Sequence, residues 1–279
     1  MEKLILQTHD KIQIVAHVFK PEINNHKVLL INSATGVRQH VYFSFAQFFA
    51  EKGFTVITYD YRGIGLSKPQ RMRNFDASMR IWGSEDYKVI SQFIIDEFPD
   101  YQKFCLGHSV GALILGMNKD SEIFDKFIFV GTQNAFIGHL RWRTKVEALL
   151  GFGIAQPFFT ELFGYFPAPW FGLGESLPKN CAYDWRTLIL NPKSTNKLLF
   201  KTEDFSKDLK QKVFVIQAED DAWLTDKGVK SLLNDTYLNL KPTYRLIKTS
   251  ESEKGEIGHI NFFRKYNMNL WEIVLNEMK

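Results

Sequence analysis

The chain predicts an α/β fold with a mostly parallel central sheet, helices on both faces and an antiparallel hairpin at the start. Three observations predict it. Six short runs rich in β-branched and aromatic residues are apolar almost throughout, as strands covered on both faces are. Segments of helical spacing alternate with these runs, and such alternation builds a parallel sheet. The residues before them instead alternate apolar and polar side chains on either side of His9 and Asp10, which is hairpin patterning.

Taken in order, "KLILQT" and "KIQIVAHVF" form the predicted hairpin, with Ile12, Ile14 and Ala16 on one face. The parallel strands follow as Lys27–Asn32, Thr55–Asp60, Lys103–Gly107, Lys126–Gly131, Lys212–Gln217 and Thr243–Lys248. Helical spacing is found over Tyr42–Lys52, Ser84–Phe98, Val110–Asn118, Lys227–Asn234 and Asn261–Glu277. The alternation fails once, from Thr132 to about Ser206, where no strand is evident but aromatics abound: Phe136, Trp142, Phe152, Phe158, Phe159, Phe163, Tyr165, Phe166, Trp170, Phe171, Tyr183 and Trp185. The predicted organisation is one core, residues 1–131 and 207–279, interrupted by an insertion at 132–206.

Composition narrows the function classes. With 279 residues, 45% of them hydrophobic and 24% charged, the chain can bury a core as an ordinary globular protein does. A net charge of +4 without a run of basic residues argues against nucleic acid as a partner. Cys105 and Cys181 fit neither a disulfide framework nor a zinc spacing and are expected to be reduced and buried. The opening apolar triplet is too short for a signal-peptide core, so the cytoplasm is the expected location. Glu147, Gln156, Pro157, Glu161, Pro167 and Pro169 break the greasy stretch Val146–Gly174, so no membrane-spanning helix is expected there.

The chemistry is concentrated in "FCLGHSVGALIL", Phe104–Leu115. A strand that turns into a helix with almost no loop strains its central residue, and the positions two removed on either side must be small. Gly107 and Gly111 flank Ser109 in this way, in the G-x-S-x-G pattern. The serine then projects beside the unpaired N–H groups of a helix start, where a forming anion is stabilised. In the plainer alternative the glycines serve the turn and Ser109 caps the helix. A serine nucleophile needs a base, and the base needs an orienting acid. Of the seven histidines, His259 in "GEIGHINFF" follows the last predicted strand, and "AEDD" after the preceding strand supplies Asp221, with Asp220 and then Glu219 as alternatives. The second amide of an oxyanion site is expected from "INSATGVRQH", at Ala34 with Thr35 next, beside that of Val110.

On "GHSVG" at 107–111, "DYRGIGLS" at 60–67, "AEDDAWLT" at 218–225 and "GHINFFR" at 258–264, the chain resembles the α/β-hydrolase superfamily. "SATGV", "YFPAPWFGLGESLP" and "GHINFF" bring it closer to bacterial predicted α/β hydrolases related to the serine aminopeptidase and monoacylglycerol-lipase-like branch. The acid-loop pattern G-x-x-D, with Ala218 for the glycine, places the acid on Asp221. Asn32-Ser33 departs from the His-Gly with which many relatives begin the oxyanion loop. The resemblance implies a cap at 132–206 whose aromatics form an apolar pocket, although many of those rings would only hold the cap together. Arg141, Trp142, Arg143 and Lys145 before the apolar run also allow a lid that lies on a membrane surface. The expected activity is that of a serine hydrolase acting on an apolar acyl ester through Ser109, His259 and Asp221, with no metal or organic cofactor. An amidase or peptidase, a non-catalytic binding protein of the same fold, and a homodimer remain open.

Overall fold

A computed structural model describes all 279 residues, Met1–Lys279. Strands β1 (Glu2–Gln7) and β2 (Gln13–Phe19) form the antiparallel hairpin; β3 (Lys27–Asn32) leads to helix α1 (Phe43–Glu51) and β4 (Phe54–Tyr59). A short α2 (Met79–Ile81) runs through a π turn into α3 (Tyr87–Glu97), then come β5 (Gln102–His108), α4 (Val110–Leu113) and β6 (Lys126–Val130). The insertion carries α5 (Trp142–Leu150), α6 (Gln156–Phe163), the pair β7 (Tyr165–Phe166) and β8 (Leu177–Pro178), α7 (Lys179–Leu190) and α8 (Ser194–Leu199). The chain returns through β9 (Lys212–Ala218), α9 (Asp226–Ser231), β10 (Lys241–Ile247) and α10 (Met268–Glu277).

The eight-stranded sheet has the order β1-β2-β4-β3-β5-β6-β9-β10. Only β1–β2 and β2–β4 pair antiparallel; the remaining neighbours are parallel. Alternate side chains of each strand feed two cores. Val28, Leu30, Phe127 and Phe129 pack on one face, where Ile90 and Ile94 of α3 lie, and Leu29, Ile31, Leu106 and Ile128 pack on the other beneath α1 and α10. Full burial of each such side chain contributes roughly 1.5–3 kcal/mol, so this framework carries most of the driving force.

Two departures from the expected elements have local causes. The helix after Ser109 is α-helical only to Leu113, because Gly116 packs against Ser206 and Leu199, and Tyr237 Oη donates to the carbonyl of Ala112 at 2.6 Å. The insertion, expected to lack strands, contains β7 paired with β8, each of two residues, a length at which side-chain alternation leaves no signal. Both cysteines are free and buried. No helix is long and apolar enough to cross a membrane.

Buried polar groups hold the turns at the carboxyl ends of the strands. Asp60 accepts from the Gln39 N–H at 2.8 Å, from its side-chain amide at 2.9 Å and from the Leu66 N–H at 2.9 Å, fastening the loop after β3 to the turn after β4. Arg62 is enclosed and pairs with the equally buried Asp86 at 2.6 Å and with Asp10 of the hairpin. A buried charge persists only when paired in this way.

Candidate active site

Ser109 stands between β5 and α4 with φ 53° and ψ −117°, a conformation that costs a non-glycine residue energy and must be imposed by its surroundings. Its N–H donates to the Val130 carbonyl at 3.0 Å, and its carbonyl accepts from Thr132 Oγ1 at 2.8 Å. The flanking glycines follow from close approach. A Cβ on Gly107 would lie 2.5 Å from Ala112 Cα, and one on Gly111 would lie 2.3 Å from the Asn32 carbonyl oxygen. Asn32 is buried and staples the same crossing by donating to the Gly111 carbonyl at 3.1 Å.

His259 reaches the elbow from the loop after β10. Its Nδ1 lies 2.7 Å from Asp221 Oδ2, and Asp221, 1% exposed, accepts the Trp223 N–H at 2.9 Å with its other oxygen. A carboxylate can only accept, so Nδ1 carries the proton and Nε2 is left as the basic nitrogen. Asp220 does a different job: its carboxylate accepts the N–H groups of Ile257 and Gly258, both at 2.9 Å, and fixes the loop that carries His259. Glu219 turns away and accepts from Thr249. Ser109 and His259 line one cavity of about 620 Å³, but no hydrogen bond joins the serine hydroxyl to the imidazole. The carboxylate–imidazole half of the expected relay is therefore formed, and the hydroxyl half is open.

The profile of the family described as "Serine aminopeptidase, S33" matches residues 24–148, somewhat under half of the chain. No protein with a curated description matches the sequence. Solved structures similar to the chain include a thermostable carboxyl esterase from Bacillus coagulans, at 16% identity and TM-score 0.64, covering 99% of this chain and 97% of that one. An esterase from Exiguobacterium antarcticum aligns at 15% identity and TM-score 0.61, covering 99% of each. An α/β serine hydrolase homologue from Coxiella burnetii aligns at 13% identity and TM-score 0.58, covering 100% of this chain and 97% of that one. These likenesses show that the chain has the α/β-hydrolase fold.

Ala34, the expected second oxyanion donor, needs correction. Its N–H donates to the Tyr42 hydroxyl at 2.9 Å and is not free to meet an oxyanion. The next residue, Thr35, lines the cavity and its N–H has no partner within the protein. The N–H of Val110 opens α4, beyond reach of any intrahelical carbonyl. The aromatics of the insertion mostly pack among themselves rather than line the cavity. Of the twelve named above only Trp185 lines the cavity, where it is joined by Leu113, Leu173, Leu188, Ile189 and Trp223. The others pack on one another, as Phe159 and Phe163 do on Trp170, or face outward.

Three contributors escaped the sequence reading. Gly131, at φ 58°, leaves space for the acid–base pair, since a Cβ there would sit 3.3 Å from the His259 ring and 3.6 Å from Asp221 Oδ2. His108 is buried within the elbow and ties two loops together. The carbonyl of His259, which can only accept, lies 2.8 Å from His108 Nε2, so that nitrogen carries the proton. Burial, reinforced by the nearby His259, holds the His108 pKa well below its usual value, so the ring is neutral and its Nδ1 accepts from Tyr42 Oη at 2.8 Å. The result is a directed chain: Ala34 N–H to Tyr42 oxygen, Tyr42 O–H to His108, His108 N–H to the His259 carbonyl. Its only signal in the sequence was the histidine inside "GHSVG".

The third is Glu175 of the insertion, which clasps the loop after β3. Its N–H donates to the Gly36 carbonyl at 2.9 Å, and its carboxylate accepts the Gly65 N–H at 2.7 Å and pairs with Arg38 at 3.2 Å and Lys68 at 3.0 Å.

Proposed function

We propose that the protein is a serine hydrolase that cleaves apolar carboxylic esters through an acyl-enzyme. The observation that carries this reading is the strained Ser109 sharing a cavity with His259, whose ring Asp221 orients. Ser109 Oγ attacks the ester carbonyl carbon while Nε2 of His259 removes its proton, a step that needs only closure of the open hydroxyl–imidazole contact on substrate binding. The oxyanion is received by the N–H groups of Val110 and Thr35. His259 then returns the proton to the departing alcohol, and a water attacks the acyl group by the same route in reverse. The insertion acts as a cap over residues 132–206, and Leu113, Trp185, Leu188 and Ile189 form the acyl side of the pocket. The carboxyl esterase and esterase among the similar structures support the same substrate class.

A second reading, an aminopeptidase, draws on the description of the matching profile. Such an enzyme needs a free carboxylate for the substrate's terminal amine. Glu175 is the one acidic residue lining the cavity, and Arg38, Lys68 and the Gly65 N–H already occupy it. Electrostatics therefore favour a neutral ester.

Hydrolysis of p-nitrophenyl esters of increasing chain length, alongside aminoacyl p-nitroanilides, tests both readings. Esters are the expected substrates, and Ser109→Ala is expected to lower kcat by about 10⁴-fold or more. Faster turnover of the anilides would transfer the assignment to the peptidase. Failure of a fluorophosphonate to label Ser109 would leave only a binding protein of this fold.

A further inference from the structure

The helical run of the cap is inverted with respect to water. From α5 through the π turn Gly151–Ala155 into α6, Thr144, Ala148, Phe152, Gln156 and Thr160 are buried, with Gln156 at 1% exposure and Thr160 at 0%. Trp142, Val146, Leu150, Ile154, Phe158 and Leu162 recur every four residues on the opposite side and are all exposed, Trp142 at 75% and Phe158 at 63%. A strict four-residue repeat drifts around an α-helix of 3.6 residues per turn, and the wider π turn at its midpoint counters the drift. Exposed Trp170 and Phe171 extend the surface beside α6, Trp170 lying 5.9 Å from the Phe159 ring and 5.3 Å from that of Phe163. Their chain neighbours Pro169 and Gly172 line the cavity, so the apolar surface runs to its rim.

Cations bracket this stripe. Arg141, Arg143 and Lys145 stand at the start of α5 with no carboxylate partner, and the loop bearing Arg71 and Arg73 packs against Gly164 at the far end, with those two arginines also unpaired. The acids nearby are Glu147, Asp76 and Glu161, and Glu161 is neutralised by Lys179 at 2.7 Å. The geometry points to the outer face of the cap as a docking surface for an anionic lipid bilayer. An interfacial helix has this character: apolar side chains entering the acyl boundary, tryptophans at its edge and basic residues reaching the headgroups. A second copy of the chain fits poorly. Parallel or antiparallel, two such stripes in contact set basic ends against basic ends. The inference concerns binding and stands apart from the proposed ester hydrolysis.

Sedimentation of the full chain with vesicles of phosphatidylcholine containing phosphatidylglycerol, and with phosphatidylcholine alone, tests it. Binding is expected only with the anionic vesicles, weakening as salt rises. Ile154→Glu combined with Phe158→Glu is expected to lower vesicle affinity by more than about tenfold, while hydrolysis of a soluble short-chain ester stays unchanged. Arg141→Gln with Arg143→Gln is expected to lower it by about fivefold per cation removed. Absence of binding to anionic vesicles at low salt would overturn the proposal, as would binding that both double variants leave intact. A concentration-dependent dimer that the glutamate variant abolishes, with no vesicle binding in the parent, would assign the face to a second copy.

Discussion

The sheet framework and the α5–α6 run of the insertion treat apolar surface in opposite ways. In the framework, Phe127, Phe129 and Trp271 are wholly enclosed and polar groups such as Asp60 and Arg62 have several partners each. In the cap, the helical run turns threonine and glutamine inward and tryptophan, isoleucine and phenylalanine outward. Hydrophobic burial therefore explains why the framework folds but not why the outward face of α5 and α6 has its sequence. The insertion is held by buried side chains that join the large core, among them Phe166, Leu177, Cys181, Leu188 and Leu199, by a small cluster around Leu140 and Phe152, and by ties such as Arg80 to Asp184 at 3.0 Å. Its outward side chains contribute little to folding, and that is the sign of a surface kept for contact.

Paired truncations test the contrast most sharply. Phe129→Ala, at an enclosed site, is expected to cost about 3–5 kcal/mol in chemical denaturation, whereas Phe158→Ala should stay within about 0.5 kcal/mol of the parent. Equal losses would mean that the outward stripe is part of a core after all. A smaller effect is expected where the two loops at the active site meet. Tyr42→Phe removes the hydroxyl that serves both the Ala34 N–H and His108, leaving two buried groups without partners at a cost of about 1–3 kcal/mol. Ester turnover should fall with it while the KM of a short ester changes little, and unchanged kcat would remove the chain of hydrogen bonds from the mechanism.

The mildest expected effect is a pH slope. His108 is neutral in the fold because burial depresses its pKa, while the unfolded chain takes up a proton near 6.5. The unfolded state then binds more protons below that value, so stability is fully present above it and is lost as pH falls. One proton corresponds to a slope of about 1.4 kcal/mol per pH unit. Thermal unfolding followed from pH 7 to pH 5, a range of about two units, should lose stability with falling pH more steeply in the parent than in His108→Gln, by up to this slope. Identical slopes would place the proton uptake elsewhere.

The framework was legible because strands buried on both faces leave unbroken apolar runs, and each predicted parallel strand lies within two residues of its observed bounds. Ser109 was legible because only glycines fit at 107 and 111. The oxyanion loop was not. Whether Ala34 or Thr35 presents a free amide is decided by the hydroxyl of Tyr42, and nothing in "INSATG" reports where that ring will lie. Gly131 looked like the end of a strand, since the imidazole that needs its space arrives from the far end of the chain. The cap misled for a related reason: abundance of aromatic residues says nothing about which side of a helix meets water.

Adjacent carboxylates at the end of β9 divide their work, Asp220 gripping the backbone at Ile257 and Gly258 while Asp221 grips the ring at 259. The turn closed by the Asp221 N–H on the Ala218 carbonyl at 3.2 Å sends the two carboxylates to different targets, so this arrangement behaves as a two-pronged clamp with a defined polarity. Loss or gain of one residue in that turn would draw both carboxylates off their targets, releasing loop and imidazole together. The spacing between β9 and the clamp is thus fixed by two targets at once.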